Sequence, residues 1–332
     1  MTVNGRPQAP LMTNTQADRV KEVARLAGRP SRLRRREFLA EGPQAVREAL
    51  RLHLEKHDDG AGGGVVVDVY ATAEALERHE DIADLLASGG APIVRMVTAE
   101  VLAAMSSTVT PQGFIAVCRF VDSPLDDVLA SGPRLVAVLV EVRDPGNAGT
   151  IIRAADSAGA DAVILTGSSV DPYNPKTVRS TVGSLFHLPI VIGVELEGLT
   201  ERLRSAGMTV LAADGHGTIS LDDLQDASAA RRFGTGEPGQ DTGGGDFPSS
   251  DALPARGSGL EARGAAEHVR SVRLEDPGAW LFGNEAQGLA AEVTEAADAR
   301  VAVPIYGSAE SLNVGTAATV CLYASARAQR LV

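Results

Sequence analysis

The stretch "LVEVRDPGNAGTIIRAADSAGADAVIL" (139–165) reads as strand, turn, helix and second strand. Asp144, Pro145, Gly146 and Asn147 carry turn chemistry, and Asn147 can cap the helix that follows. Arg153 falls in the second turn of that helix, in a run of Ile and Ala. A side chain there leans back towards the turn, close to anything bound at the strand ends. Alone, the pattern suits a helix cap, a nucleotide-binding loop or a catalytic turn equally. The same alternation continues on both sides. Apolar runs at 135–142, 161–166, 188–194, 209–213, 279–283 and 300–305 read as strands. Helical patterns at about 147–158, 175–186, 197–206 and 287–297 separate them, and a last helix covers 311–329. Such alternation predicts a mostly parallel sheet with helices on both faces. Ligands of such sheets bind beyond the carboxyl ends of the strands.

Upstream, residues 1–16 read as a flexible leader and 17–121 as a smaller α/β domain. Asp18 to about 56 is mostly helical in pattern; "GGGVVVDVY", "APIVRMV" and "QGFIAVCRF" read as strands with helices between them. "DSPLDDVLASGPR" (122–134) reads as a linker, and 135–332 as the second domain. Residues 231–270 are rich in Gly, Pro, Ser and charge; such a segment buries too little to offset its ordering entropy and reads as a disordered insertion.

With 44% hydrophobic and 22% charged residues over 332 positions, the chain is globular. No apolar run approaches the ~20 residues of a membrane span, and the N-terminus lacks a signal core, so no membrane partner and no secretion are expected. Cys118 and Cys321 are too few for a disulfide framework or thiolate metal site, which points to a reducing, cytoplasmic setting. The net charge of −12 argues against a polyanionic partner, but local potential decides binding. "GRPSRLRRREF" (28–38) holds Arg29, Arg32, Arg34, Arg35 and Arg36, either a solvated helix end or a phosphate-contacting patch.

Two further junctions carry unusual residues. "LFGNEAQGL" (281–289) sets Glu285 between Gly283 and Gly288, as a first-turn carboxylate or something more; Gly283 admits close approach of a ligand to the backbone. "ESLNVGTAATV" (310–320) sets Ser311 and Asn313 at the head of the last helix.

Together, "NAGTIIRAADSAGA", "LFGNEAQGL" and "VPIYGSAESLNVGTAA" resemble the three motifs of the SpoU family of RNA ribose 2′-O-methyltransferases, within the SPOUT superfamily. "DPYNPKTVRSTVGSLFHLPI" (171–190) resembles the region between them; "RREFLAEGPQAVREAL" and "MSSTVTPQGFIAV" resemble the family's small substrate-binding domain, related to a ribosomal-protein fold. The resemblance implies S-adenosylmethionine as cofactor, a C-terminal trefoil knot, and a homodimer with its active site at the subunit interface. It places cofactor contacts on Gly283, Val303 and Leu312, with Ala213 lining the adenine pocket. It places Asn147, Arg153, Glu285, Ser311 and Asn313 around the target ribose and methyl donor. RNA contacts are expected from the arginines at 29–36 and from Lys176 and Arg179, with ribosomal RNA favoured over transfer RNA. The donor is already activated, so no metal is expected, and no histidine or cysteine spacing suggests ligands. His187 and His216 read as structural. Two rivals remain: a doubly wound nucleotide-binding enzyme, although no GxGxxG follows the first strand of either domain, and a non-catalytic RNA-binding protein on the same fold.

Overall fold

The computed structural model describes residues 2–3, 6–7, 10–58, 64–234 and 272–330. A two-residue strand pair, β1 (Thr2–Val3) with β2 (Arg6–Pro7), precedes the first domain. That domain runs α1 (Asp18–Ala24), α2 (Arg29–Arg35), β3 (Glu37–Glu41), α3 (Pro43–Asp58), β4 (Val66–Ala71), α4 (Ala73–Arg78), α5 (Glu80–Ala87), β5 (Val94–Met96), α6 (Ala99–Met105) and β6 (Phe114–Arg119). Its sheet has the order β3-β6-β4-β5, with only the β4–β5 pair parallel.

The second domain holds α7 (Leu125–Ala130), β7 (Leu135–Leu139), α8 (Pro145–Ala158), β8 (Ala162–Thr166), α9 (Pro175–Thr181), β9 (Ile190–Val194), α10 (Leu199–Ser205), β10 (Thr209–Ala213), β11 (Ile219–Ser220) and α11 (Leu221–Phe233). After the insertion come β12 (Gly278–Phe282), α12 (Ala291–Glu295), β13 (Ala299–Ala302) and α13 (Val314–Arg330). These strands form one parallel sheet in the order β11-β13-β10-β12-β7-β8-β9.

Both faces of this sheet are buried, which is why its strands read as continuous apolar runs. In β7, Leu135, Ala137 and Leu139 point into the layer of α8, α9 and α13. Val136, Val138 and Val140 point the other way, towards Leu125 of α7, Leu199 and Leu203 of α10 and Val293 of α12. Trp280 is fully buried on the first face, and its indole N–H donates to Ser325 of α13 at 2.9 Å.

Several elements differ from the sequence reading. The span 122–134 contains α7, whose Leu125 and Val128 are buried under the sheet, and Ser123 donates to the Ile190 carbonyl at 2.9 Å. Within 1–16, Met12 bridges Val97, so the chain is tied to the first domain before α1; residues 1, 4, 5, 8 and 9 lie outside the described residues. The insertion begins later than expected, because α11 continues to Phe233 and Arg231 is clamped to Glu275 at 2.8 Å; residues 235–271 lie outside the described residues. Strand β3 sits inside a span read as mostly helical. It is the edge of its sheet, yet it is buried because α9 of the second domain covers it.

The two domains share a core. One apolar cluster runs from Phe38, Val46 and Leu50 through Tyr173 and Phe186 to Leu139, Ile152 and Trp280. At the seam Tyr173 stacks on Phe120 at 3.9 Å and lies 4.7 Å from Phe38.

Candidate active site at the strand ends

The carboxyl ends of β7, β12, β10 and β13 lie side by side in the parallel sheet. The loops leaving them therefore meet, although they come from positions as distant as 140 and 313. At the first, Asp144 is the N-cap of α8 and accepts the N–H of Asn147 at 2.9 Å, with Pro145 in the first turn. This corrects the expectation that Asn147 caps the helix. Asn147 is the third residue of the helix, three positions beyond the cap, and its side chain is released towards the neighbouring loops.

Glu285 occupies a tight turn closed by reciprocal Asn284–Gly288 backbone hydrogen bonds of 2.9 and 3.0 Å. It is not in a helix, since α12 begins only at Ala291. A Cβ at Gly283 would lie 2.3 Å from the Gly288 carbonyl carbon, so the turn itself requires glycine there. The chain's own turn fills that space. The Glu285 carboxylate accepts from the Asp144 N–H at 3.0 Å, the Arg143 N–H at 3.2 Å and the Asn147 amide at 3.2 Å. Partial burial works to raise its pKa; hydrogen bonds from its own N–H, Asp144, Asn147 and Arg143 outweigh that and hold it below the usual carboxylate value. The Asn284 side chain donates to the Glu141 carbonyl at 3.1 Å, and Glu141 has a left-handed backbone, φ 55°.

Asn313 completes the group. Its Oδ1 accepts the Gly315 N–H at 2.9 Å, so it precedes α13 as a cap instead of lying inside the first turn. Its Nδ2 donates to Asn147 Oδ1 at 3.0 Å. The orientation of both amides is fixed from the two ends. A carboxylate that only accepts lies at one end and a backbone N–H that only donates lies at the other. Each amide keeps one N–H without a partner among the described residues.

Arg153 is exposed, about 9 Å along the helix axis from Asn147, and forms no ion pair or hydrogen bond among the described residues. Ser311 is exposed ahead of α13. Ala213, Gly283 and Val303 stand at or just beyond the ends of β10, β12 and β13, three neighbouring strands, and Leu312 is partly exposed on the loop that returns to Asn313. Among the described residues no cluster of His, Cys, Asp or Glu could hold a metal ion, and Cys118 and Cys321 are free and buried.

The expected RNA contacts divide. Arg32 is 2% exposed; it donates to Asp171 at 2.7 Å and to the carbonyls of Leu26 and Ala27, so the expectation of phosphate contact fails there. Arg35 pairs with Glu37 at 2.6 Å; Arg36 pairs with Asp122 at 2.9 Å and lies over the Phe120 ring. Arg29 and Arg34 are exposed. Lys176 donates to Asp144 at 3.1 Å, and Arg179 to Ser107 at 2.6 Å. The Asn147 N–H and then Lys176 hold Asp144 below its usual pKa. His187 lies between Asp156 at 2.7 Å and Glu48 at 3.3 Å, a contact across the domain seam, and His216 is exposed beside Asp214. Asp144 and Arg143 are the site residues that the sequence reading passed over, yet Asp followed by Pro at a helix start is a cap signal.

Comparison with known proteins agrees with this architecture. Residues 17–116 match an MRM3-like substrate binding domain. The chain is 30% identical over 305 residues to the 23S rRNA (guanosine(2553)-2′-O)-methyltransferase RlmP of Bacillus subtilis (strain 168), covering 92% of this chain and 94% of that protein. It is 31% identical over 221 residues to the 23S rRNA (uridine(2479)-2′-O)-methyltransferase of Streptomyces viridochromogenes, covering 65% and 61%. The crystal structure of an AdoMet-bound rRNA methyltransferase from Sinorhizobium meliloti superposes with TM-score 0.69 at 26% identity, over 96% of this chain and 97% of that one. The SpoU rRNA methylase family model matches residues 134–238 and 255–323, more than half of the sequence, so the chain belongs to the SpoU rRNA methylase family.

Proposed function

We propose that this protein transfers a methyl group from S-adenosylmethionine to a ribose 2′-hydroxyl of ribosomal RNA. The observation that carries this reading is the Glu285–Asn147–Asn313 relay, which ties three strand-end loops into one site beside the ends of β10, β12 and β13. Small and apolar groups at Ala213, Val303 and Leu312 suit an adenine ring and the hydrocarbon part of a methionine chain. When bound, the cofactor supplies a methyl group already activated by positive sulfur. The protein's residues then have two tasks: holding the hydroxyl in line and stabilising the charge that grows on its oxygen. The delocalised guanidinium of Arg153 serves here as a fixed charge and not as a base. It grips the target phosphate and stabilises the developing alkoxide. Asn313, braced by Asn147 and Gly315, orients the hydroxyl together with Ser311. Glu285 holds the loops.

Arg153→Ala is expected to abolish methyl transfer to large-subunit ribosomal RNA while changing cofactor affinity less than about twofold. Equal collapse of cofactor binding, measured by calorimetry, would overturn the assigned role.

The reading includes a homodimer. Val320 and Tyr323 are large, exposed residues of α13, and Tyr323 reaches the Ser157 carbonyl of α8, one turn beyond Arg153. This face suits a second copy that brings its own Arg153 to the site. Val320→Asp with Tyr323→Asp is expected to give a monomer by sedimentation; an unchanged dimer would exclude this face. The reading also includes the threaded C-terminus, supported by the place of β12 between β7 and β10 and by α13 packing back onto α8. Mechanical stretching of the chain tests it: a tightened knot leaves the chain shorter than its residue count requires.

A further inference from the structure

In the arginine stretch at 29–36, Arg32, Arg35 and Arg36 are paired with carboxylates, and Arg29 and Arg34 are exposed. Another part of that domain lies in contact with the site. Glu41, at the end of β3, is 9% exposed. Its carboxylate accepts from the hydroxyls of Ser106 and Ser107, from the Ser107 N–H at 3.2 Å, and from Arg179 at 3.4 Å. Arg179 also donates to Ser107 at 2.6 Å. On α9, Lys176 stands one turn before Arg179 and bonds Asp144, the cap whose N–H binds Glu285. Hydrogen bonds therefore link Asn313 through Asn147, Glu285 and Asp144 to Lys176, and helix α9 carries the connection from Lys176 to Arg179 and its partner Ser107. Beyond Ser107 the loop presents Thr108, a fully exposed Val109, Thr110 and Gln112.

We propose that the loop 106–112, with Lys176 and Arg179, binds the RNA backbone as it leaves the methyl-transfer site, and that Glu41 is a positioning residue fixing the loop at a set distance from that site. This rests on the function proposed above. Hydroxyls, backbone N–H groups and cations are the usual partners of phosphate and sugar. Here each cation is oriented by one carboxylate, so the contact is local, which fits a chain of net charge −12. Because the two domains share a core, the domain that carries the loop is packed directly against the one that carries the site. The spacing works as a ruler that selects one ribose relative to the bound shape of the RNA.

The test measures methyl transfer by the full chain at varied concentrations of protein-free, in vitro transcribed large-subunit ribosomal RNA. Val109→Asp with Thr110→Asp alters only the loop tip and is expected to raise KM for RNA about tenfold or more, with kcat and cofactor affinity within about twofold. Glu41→Gln is expected to raise KM in the same way, with Glu41→Asp partly restoring it. Arg202→Gln, on the opposite face of the sheet, is expected to match wild type. An unchanged KM in the loop-tip variant overturns the proposal. Ultraviolet crosslinking of the wild-type chain to the same RNA gives an independent answer: a crosslinked peptide containing Val109 supports the loop, and crosslinks confined to 29–36 overturn it. A wild-type chain that methylates no RNA instead refutes the parent reading, and the crosslink still decides the loop.

Discussion

Asn147 shows how one neighbour sets a residue's task. Any of Asp, Asn or Ser caps a helix well, and both Asp144 and Asn147 were eligible. Once Asp144 takes the cap, the Asn147 amide is free to join Glu285 to Asn313. Residue types alone mark these positions as unusual, and the contacts of Glu285 with Arg143, Asp144 and Asn147 fit the loop-holding role expected of it. That role has a pH signature. The folded-state pKa of Glu285 lies below its ordinary value of 4.5, so its stabilising contribution is complete above that value and disappears as pH falls through the folded pKa. Glu285→Gln is therefore expected to unfold at lower urea than wild type at pH 7, with a smaller gap in acid, where the pH has fallen below 4.5. A gap of equal size at both pH values would mean that the carboxylate's charge contributes nothing.

At the scale of elements, strands buried on both faces were legible because their apolar runs are continuous: β8, β10 and β12 fall within a residue of expectation, while β7 ends at Leu139, three residues before the expected 142. β3 was not legible. "EFLAE" is short and lies between two helices, and its burial comes from α9, more than 130 residues away. The expected helix at 287–297 shrinks to Ala291–Glu295 because the Asn284–Gly288 turn consumes its start. The arginine run likewise hides two kinds of residue. Arg32→Ala would leave Asp171 and two carbonyls without their donor, an expected loss of about 3–5 kcal/mol. Arg34→Ala, at an exposed position, is expected to change stability by less than about 0.5 kcal/mol. Urea melts of the two variants check this; similar small losses would show that the buried arginine does not hold the seam.

For the whole molecule, the shared core predicts that the two domains unfold together. Trp280 is the single tryptophan and lies in the second domain, while circular dichroism reports on both. The two signals are expected to follow one urea transition; separated midpoints would mean that the seam is weaker than its aromatic packing and buried Arg32–Asp171 pair imply. By itself, the sequence determined the alternation of strands and helices and the polar residues at the strand ends, because periodicity and turn chemistry are local properties. Tertiary structure alone decided that Arg32 is taken by Asp171 and that Asn147, Glu285 and Asn313 meet. Those outcomes depend on partners more than a hundred residues apart, brought within 3.2 Å only when parallel strands are laid side by side.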